Sequence, residues 1–348
     1  MKLLIIFFAF FLLAIPCLND FKNKSRSIAQ ADEDQNEFSD SAADVHHVMT
    51  AKCLDPFNYD EILEYLNSVQ HHPSMKQSYQ QLTDQDNFPA DSQCNDVLCA
   101  IKHIFGEEEG PMMLYLHHRF NLNTSHLVSH IASKPNVDEL TQFINGVHDL
   151  PPHLFLAFRN QTFIRFKRGY INTNFPTQAA TAHFDSVEFY DRWARQHPVF
   201  KRITVVHELA HIIGMARYWP GSGIDNTTEW VELSDWQRVE GNTWKRPESN
   251  QLFVSNYAMI RPEEDFAESV VAYRYRPHFF KSRSIQKYNY IKNYFFAGKE
   301  YLDHHNCDAT PSLIELAEDL DNDQLDPRLF NIADKHLILY QQYHSRFE

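Results

Sequence analysis

One apolar segment, Ile203 to Ala216, restricts what this chain can fold into more than any other stretch. Its side chains are apolar almost all the way round a helix, which predicts a buried helix. The only ionisable side chains in the segment are those of His207, Glu208 and His211. Burying three such groups without compensation costs several kcal/mol, and a bound metal ion would remove that cost.

The spacing of these three residues favours zinc. His207 and His211 are four residues apart, so both imidazoles lie on one helical face and can bind one ion. Glu208 lies about 100° further round the helix. From there its carboxylate can reach a water at the metal without being a ligand. The alternative is a chance H-E-x-x-H pattern on a surface helix, but the uninterrupted apolar flanks argue against a surface position.

A catalytic zinc ion needs a third protein ligand. Arg217 stands where a metzincin motif would place a histidine after His211. A better source is the helix predicted to begin at Pro262, a residue that suits a first helical turn. Glu264 and Glu268 lie on one face of that helix, so one can bind the metal while the other accepts a hydrogen bond from a ligand histidine. Alternatively, acids in the first turn only complement the helix dipole. That alternative explains Glu268 poorly, because its neighbours are apolar.

The downstream segment also contains Tyr257, seven residues before Glu264. With His207-Glu-Leu-Ala-His211 and Glu264-Asp-Phe-Ala-Glu268, it resembles the catalytic domain of the gluzincin metallopeptidases, the group of anthrax lethal factor and the Pro-Pro endopeptidases. The resemblance covers roughly residues 150 to 300. It implies that Glu264 is the third ligand of one zinc ion, that Tyr257 stabilises the oxyanion, and that Glu268 supports the ligands from behind.

The same resemblance implies a reaction. Zinc and Glu208 deprotonate a water, which attacks a peptide carbonyl, and zinc and the Tyr257 hydroxyl hold the oxyanion. Glu208 then passes the proton to the leaving nitrogen. The resemblance does not extend to the helical region before residue 145 or to the tryptophan-rich insertion between the two motifs, so it implies no substrate preference.

Two other functions compete with a secreted zinc endopeptidase that acts on peptides or proteins. An inactive, zinc-stabilised binding or adaptor protein would need neither Glu208 nor Tyr257. A hydrolase of non-peptide amides, such as a deformylase, would use a cysteine ligand ahead of the motif, and no cysteine lies between Cys99 and His207. A net charge of −14 disfavours nucleic acid as a partner.

The fold class predicted from these patterns is α+β: a zincin-like catalytic domain, with a small sheet and an active-site helix, wrapped by additional helices. Apolar runs at 153–158 and 162–166 predict a β-hairpin, 183–190 predicts a strand, and helices are predicted at 198–218, 284–302, 312–320 and 332–346. The predicted segments are a signal peptide at 1–18, an acidic polar linker at 19–50, a helical region at 51–145, the metallopeptidase domain at 146–302 and C-terminal helices at 303–348.

The apolar run Leu3 to Ile15 has the length of a signal peptide, which predicts export to the periplasm or the medium. An uncleaved membrane anchor is the alternative; otherwise the mature chain has no membrane partner. Four cysteines remain after the signal, namely Cys53, Cys94, Cys99 and Cys307. Two disulfides are possible. Cys94–Cys99 with Cys53–Cys307 is the preferred pairing, and four buried thiols are the alternative.

Overall fold

The structure of the chain is a computed structural model. It describes residues 58–296 and 298, except 91, 128–131, 152–153, 156–160, 170–177, 184, 215–224, 226, 240–242 and 297.

Four helices make up the N-terminal part of the described chain. They are α1 (Tyr59–Val69), α2 (Pro73–Thr83), α3 (Val97–Phe105) and α4 (Glu109–Phe120). Side chains that accept hydrogen bonds from first-turn amides cap three of them, as Asp96 does for α3. Cys94 and Cys99 form the preferred disulfide at the start of α3. Both cysteines of the other predicted pair lie outside the described residues.

A four-stranded mixed sheet follows. Its strands are β1 (Leu122–Asn123), β2 (Thr162–Lys167), β3 (Ala180–Ala182) and β4 (Ser186–Tyr190), arranged in the order β1-β2-β4-β3. β1, β2 and β4 are parallel, and β3 is an antiparallel edge strand.

Within the described residues, the structure contradicts the predicted hairpin at 153–166; residues 153 and 156–160 lie outside them. β2 is present, but it pairs in parallel with β1 and β4. Leu154 and Phe155 belong to a short 3-10 turn, and both are buried. A short apolar run has the same pattern in a buried strand and in a buried helical turn, so periodicity could not separate the two. The predicted strand at 183–190 is shorter than expected, since it begins at Ser186.

The described chain contains seven further helices. They are α5 (Val137–His148), α6 (Asp191–Arg195), α7 (Pro198–Gly214), α8 (Thr228–Leu233), α9 (Pro262–Tyr275), α10 (Pro277–Arg283) and α11 (Ile285–Tyr290), which continues as a π-helical turn (Ile291–Phe295). A two-stranded ribbon, β5 (Gln237–Arg238) and β6 (Trp244–Lys245), and a 3-10 turn (Tyr257–Met259) lie between α8 and α9. The described fold is therefore α+β, mainly helical with a small mixed sheet.

α7 is the central helix and packs against α5, α9 and β3. Its contact with α5 is close because Gly146 faces it: a Cβ at Gly146 would lie 2.6 Å from the side chain of Val205. Ten residues of α7 are buried, as its apolar sequence predicts.

Several predicted segments lie outside the described residues: the signal peptide, the acidic linker, the end of the helix at 198–218 and the helices at 312–320 and 332–346. Within the described ranges, no helix combines the length and apolar character needed to cross a bilayer.

Candidate metal centre

Two packed helices bring the three predicted ligands together. α7 presents His207 and His211 one turn apart, and the first turn of α9 presents Glu264 opposite them. α9 begins where Pro262 fixes a helical φ without losing a needed amide hydrogen bond. These three residues form a possible metal-binding triad, the one such group among the described residues.

The three donor atoms converge. The Oε2 atom of Glu264 lies 3.2 Å from Nε2 of His207 and 3.1 Å from Nε2 of His211. The two Nε2 atoms are themselves 3.1 Å apart. Zinc held tetrahedrally at about 2.0–2.1 Å would place its ligands about 3.3–3.4 Å from one another. The donor set and its spacing therefore fit a zinc ion with little rearrangement.

In the triad, the imidazoles of His207 and His211 share the single carboxylate of Glu264. Burial opposes protonation of His207, but hydrogen bonds with Glu264 and Glu268 outweigh it and raise the pKa of His207 well above its usual value. Burial likewise opposes protonation of His211, and the charge of Glu264 raises its pKa. For Glu264, burial favours the neutral acid, yet the two histidines hold the pKa of the carboxyl below its usual range. A divalent cation bound by the three residues would replace the protons of the two histidines as the positive charge beside the Glu264 carboxylate.

A second layer of contacts holds His207. Its Nδ1 atom lies 2.9 Å from Oε1 of Glu268, and Ser255 donates a hydrogen bond of 2.8 Å to the other oxygen of that carboxylate. The Ser255 hydroxyl also accepts from the amide of Ala258, in the turn that carries Tyr257. One hydroxyl thus links the carboxylate behind His207 to the Tyr257 turn.

The ring of Tyr257 lies beside the triad, with its centre 5.9 Å from that of the His207 imidazole. The structure therefore places Glu264, Glu268 and Tyr257 around the paired histidines. The roles of Tyr257 and Glu208 in a reaction stay predictions.

Glu208 lies between α7 and the edge strand β3. Glu208 as a whole is 7% exposed, and its carboxylate accepts a hydrogen bond from the amide of Ala182. Burial raises the pKa of Glu208, while the neighbouring histidines oppose that shift. A buried carboxylate with a raised pKa is suited to take up and release a proton.

The pairing of β3 with β4 determines which backbone groups of β3 point towards its free edge. Ala179 and His183 bond to β4 through their carbonyl and amide respectively. Because bonded residues alternate in an antiparallel pair, the amides and carbonyls of Ala180 and Ala182 point away from β4. The hydrogen bond from Ala182 to Glu208 agrees with this direction. No described strand pairs with that edge.

The outer face of the sheet carries a charged cluster centred on Glu188 of β4. Lys167 lies 2.6 Å from its carboxylate, and the hydroxyl of Tyr190 donates to it over 3.0 Å. Burial alone would raise the pKa of Glu188, but hydrogen bonds from His183 and Lys167 outweigh burial and lower that pKa to about 2.

This shift predicts a pH dependence. A carboxyl whose pKa is lowered by folding stabilises the protein above its unfolded pKa of 4.5, and that stabilisation is lost as the pH falls towards 2. We expect Glu188→Gln to lower the free energy of unfolding at pH 7 and to flatten its decline below pH 4.5. Urea unfolding of both proteins at several pH values measures this, and parallel pH profiles would contradict it.

A buried ion cluster ties the two ligand helices together. The carboxylate of Asp149, just after α5, binds the guanidinium of Arg202 on α7. The same carboxylate accepts from Arg274 at 3.0 Å and from the hydroxyl of Tyr275 at 2.6 Å, both on α9. Asp149 is 1% exposed. The relative position of α7 and α9, and hence the triad, therefore depends on this carboxylate.

A second buried pair secures the tryptophan-rich insertion. Asp265, next to Glu264 in the chain, forms an ion pair with Lys287, and both side chains are fully buried. Asp265 also accepts hydrogen bonds from Ser234 and from the indole of Trp236. The insertion is thus attached to α9 beside the third ligand.

No family model matches this chain, and neither a curated protein nor a solved structure matches it. The function of this chain is therefore inferred from its residues and their geometry.

Proposed function

We propose that this protein is an exported zinc-dependent endopeptidase, and that residues 146–302 form a zincin-like gluzincin domain. The observation that carries the proposal is the convergence of His207, His211 and Glu264 to within 3.1–3.2 Å, with Glu208 buried beside them. The apolar run from Leu3 to Ile15 supports export.

The three triad residues would hold the ion. Bound zinc supplies a Lewis acid, which lowers the pKa of water and polarises a carbonyl oxygen. Glu208 then acts as the general base: its carboxylate, set beside the triad and oriented by the Ala182 amide, takes a proton from the attacking water and returns it to the leaving nitrogen.

The edge strand supports a peptide as the substrate. Ala180 presents an amide and a carbonyl away from β4, and Ala182 a carbonyl, so an extended chain can add to β3 as a further antiparallel or parallel strand. Since β3 packs on α7, a peptide bound there would lie next to Glu208. Hydrogen bonds to a peptide backbone favour cleavage within a chain over removal of a terminal residue.

Tyr257 is proposed to donate a hydrogen bond to the developing oxyanion. We expect Tyr257→Phe to lower kcat by about 10²–10³-fold, the usual effect of losing one oxyanion donor. KM and zinc content should stay close to those of the wild type, because the ring beside His207 is kept. Steady-state kinetics on a cleaved peptide measure the effect, and an unchanged kcat would remove Tyr257 from the mechanism.

Digestion of a peptide library by the zinc-loaded protein, read by mass spectrometry, tests the proposed function. We expect internal cleavage that stops on chelation and returns when zinc is added. Cleavage that persists in the chelated protein, or a fully zinc-loaded protein that cleaves nothing, would overturn the proposal. The second result would favour the zinc-stabilised adaptor.

A further inference from the structure

The carboxylate of Asp225 is an unexplained feature beside the triad. The residue is 1% exposed, and no other described residue donates a hydrogen bond to either carboxylate oxygen; only the residue's own amide lies near them. Buried polar groups in folded proteins are almost always hydrogen-bonded, and an unpaired buried carboxylate is strongly destabilising. We therefore expect the Asp225 carboxylate to gain a hydrogen-bond partner in the functional state of the protein.

The position of Asp225 indicates which residue that partner is. Gly214 lies seven residues after His207 and three after His211, so the three share one face of α7. A Cβ at Gly214 would lie only 3.1 Å from the Cβ of Asp225. Asp225 therefore packs against the ligand-bearing face of α7, about one turn from His211.

The two ligand histidines differ in the hydrogen bonds made by their second ring nitrogen, Nδ1. His207 directs Nε2 to the triad and Nδ1 to the carboxylate of Glu268. The hydrogen bonds that His211 makes within the described residues use Nε2. A ligand histidine ordinarily donates its second ring N–H to a carboxylate, a carbonyl or water. His211 thus has a nitrogen to donate, and Asp225 has oxygens to accept.

The charges around Asp225 agree with this pairing. Burial, together with the carboxylate of Glu263, raises the pKa of Asp225 to about 7, and the charge of His211 opposes this shift. Arg261, which pairs with Glu263, also lowers it. The ionised form of Asp225 is thus favoured by positive charge on His211, which is what a bound divalent cation induces in a ligand imidazole.

We propose that Asp225 is a positioning residue for His211: once a metal ion is bound by the triad, the Asp225 carboxylate accepts the Nδ1 hydrogen of His211, as Glu268 does for His207. This inference rests on the proposed zinc site. Such a contact fixes the tautomer and the ring angle of the ligand and raises its basicity.

Zinc affinity, measured by competition with a chromophoric chelator at pH 7.5, tests the inference without any activity assay. We expect Asp225→Ala to weaken zinc binding about 10–100-fold and Asp225→Asn about tenfold, since an amide oxygen still accepts a hydrogen bond but carries no charge. Without metal, Asp225→Asn should melt at or above the wild-type temperature, because it removes an unpaired buried charge. A residue with a structural role alone would lower the melting temperature and leave affinity unchanged.

Thr162→Val is the matched control. Thr162 is also fully buried with an unpartnered hydroxyl, but it lies on β2. The zinc affinity of the Thr162→Val protein should equal that of the wild type. Variants at Asp225 that bind zinc within twofold of the wild type would overturn this inference and leave the zinc proposal intact. A wild-type protein that binds no zinc would overturn both. If Asp225→Ala does not fold, Asp225→Asn decides by the same criterion.

Discussion

We expect Glu208→Gln to lower kcat/KM for peptide hydrolysis by about 10²–10⁴-fold, the usual contribution of a positioned general base. Glutamine has nearly the shape of glutamate but cannot take up a proton. Because Glu208 belongs to neither the triad nor the contacts behind it, the variant should bind one zinc ion with wild-type affinity. The measurement pairs steady-state kinetics with metal content on the same preparation.

Glu264→Gln is the contrasting variant, since it removes the charge shared by His207 and His211. It should lose zinc and activity together, whereas Glu208→Gln should lose activity alone. Hydrolysis that continues unchanged in Glu208→Gln would show that another group accepts the proton. A Glu208→Gln protein without zinc would show that Glu208 is needed to assemble the site.

The sequence predicted the paired histidines because helical spacing is a local property. Residues four apart on a helix share a face whatever the rest of the chain does, so His207 and His211 could be placed together from the segment alone. Glu264 lies 53 residues after His211 in the chain. No periodicity spans that distance: the helix predicted at Pro262 supplies Glu264 and Glu268 as candidates, and the resemblance between motifs assigns the ligand role to Glu264.

What the sequence could not predict depends on contacts between distant segments. Asp149, Ser255 and Asp225 carry no local pattern that separates them from other polar residues near helix ends and loops. Their importance follows from which helices meet in space, as when Asp149 binds Arg202 and Arg274 at once. The prediction of a hairpin for β2 differs from the structure for the same reason. Whether β2 folds back on its neighbour or joins β1 and β4 in parallel is decided by the packing of the whole sheet.

Asp149→Ala should have the largest effect on stability. It would remove the carboxylate that two buried guanidinium groups, those of Arg202 and Arg274, share. Breaking a buried ion pair by removing one partner costs about 3–5 kcal/mol. Tyr275 would also lose the acceptor of its hydroxyl. We therefore expect a fall in the free energy of unfolding of at least this size, measured by urea denaturation of the metal-free protein.

The ion pair between Lys102 and Glu107 gives the matched control. Its distance is 3.3 Å, but the Glu107 side chain is 83% exposed. Glu107→Ala should therefore change stability by no more than about 1 kcal/mol. A second comparison separates charge from packing: Asp149→Asn keeps the side-chain volume and loses the charge, so it should be destabilised nearly as much as Asp149→Ala. If Asp149→Asn were as stable as the wild type, hydrogen bonding and not charge would join α7 to α9. If Asp149→Ala were no worse than Glu107→Ala, the two ligand helices would be held together by their apolar contact alone.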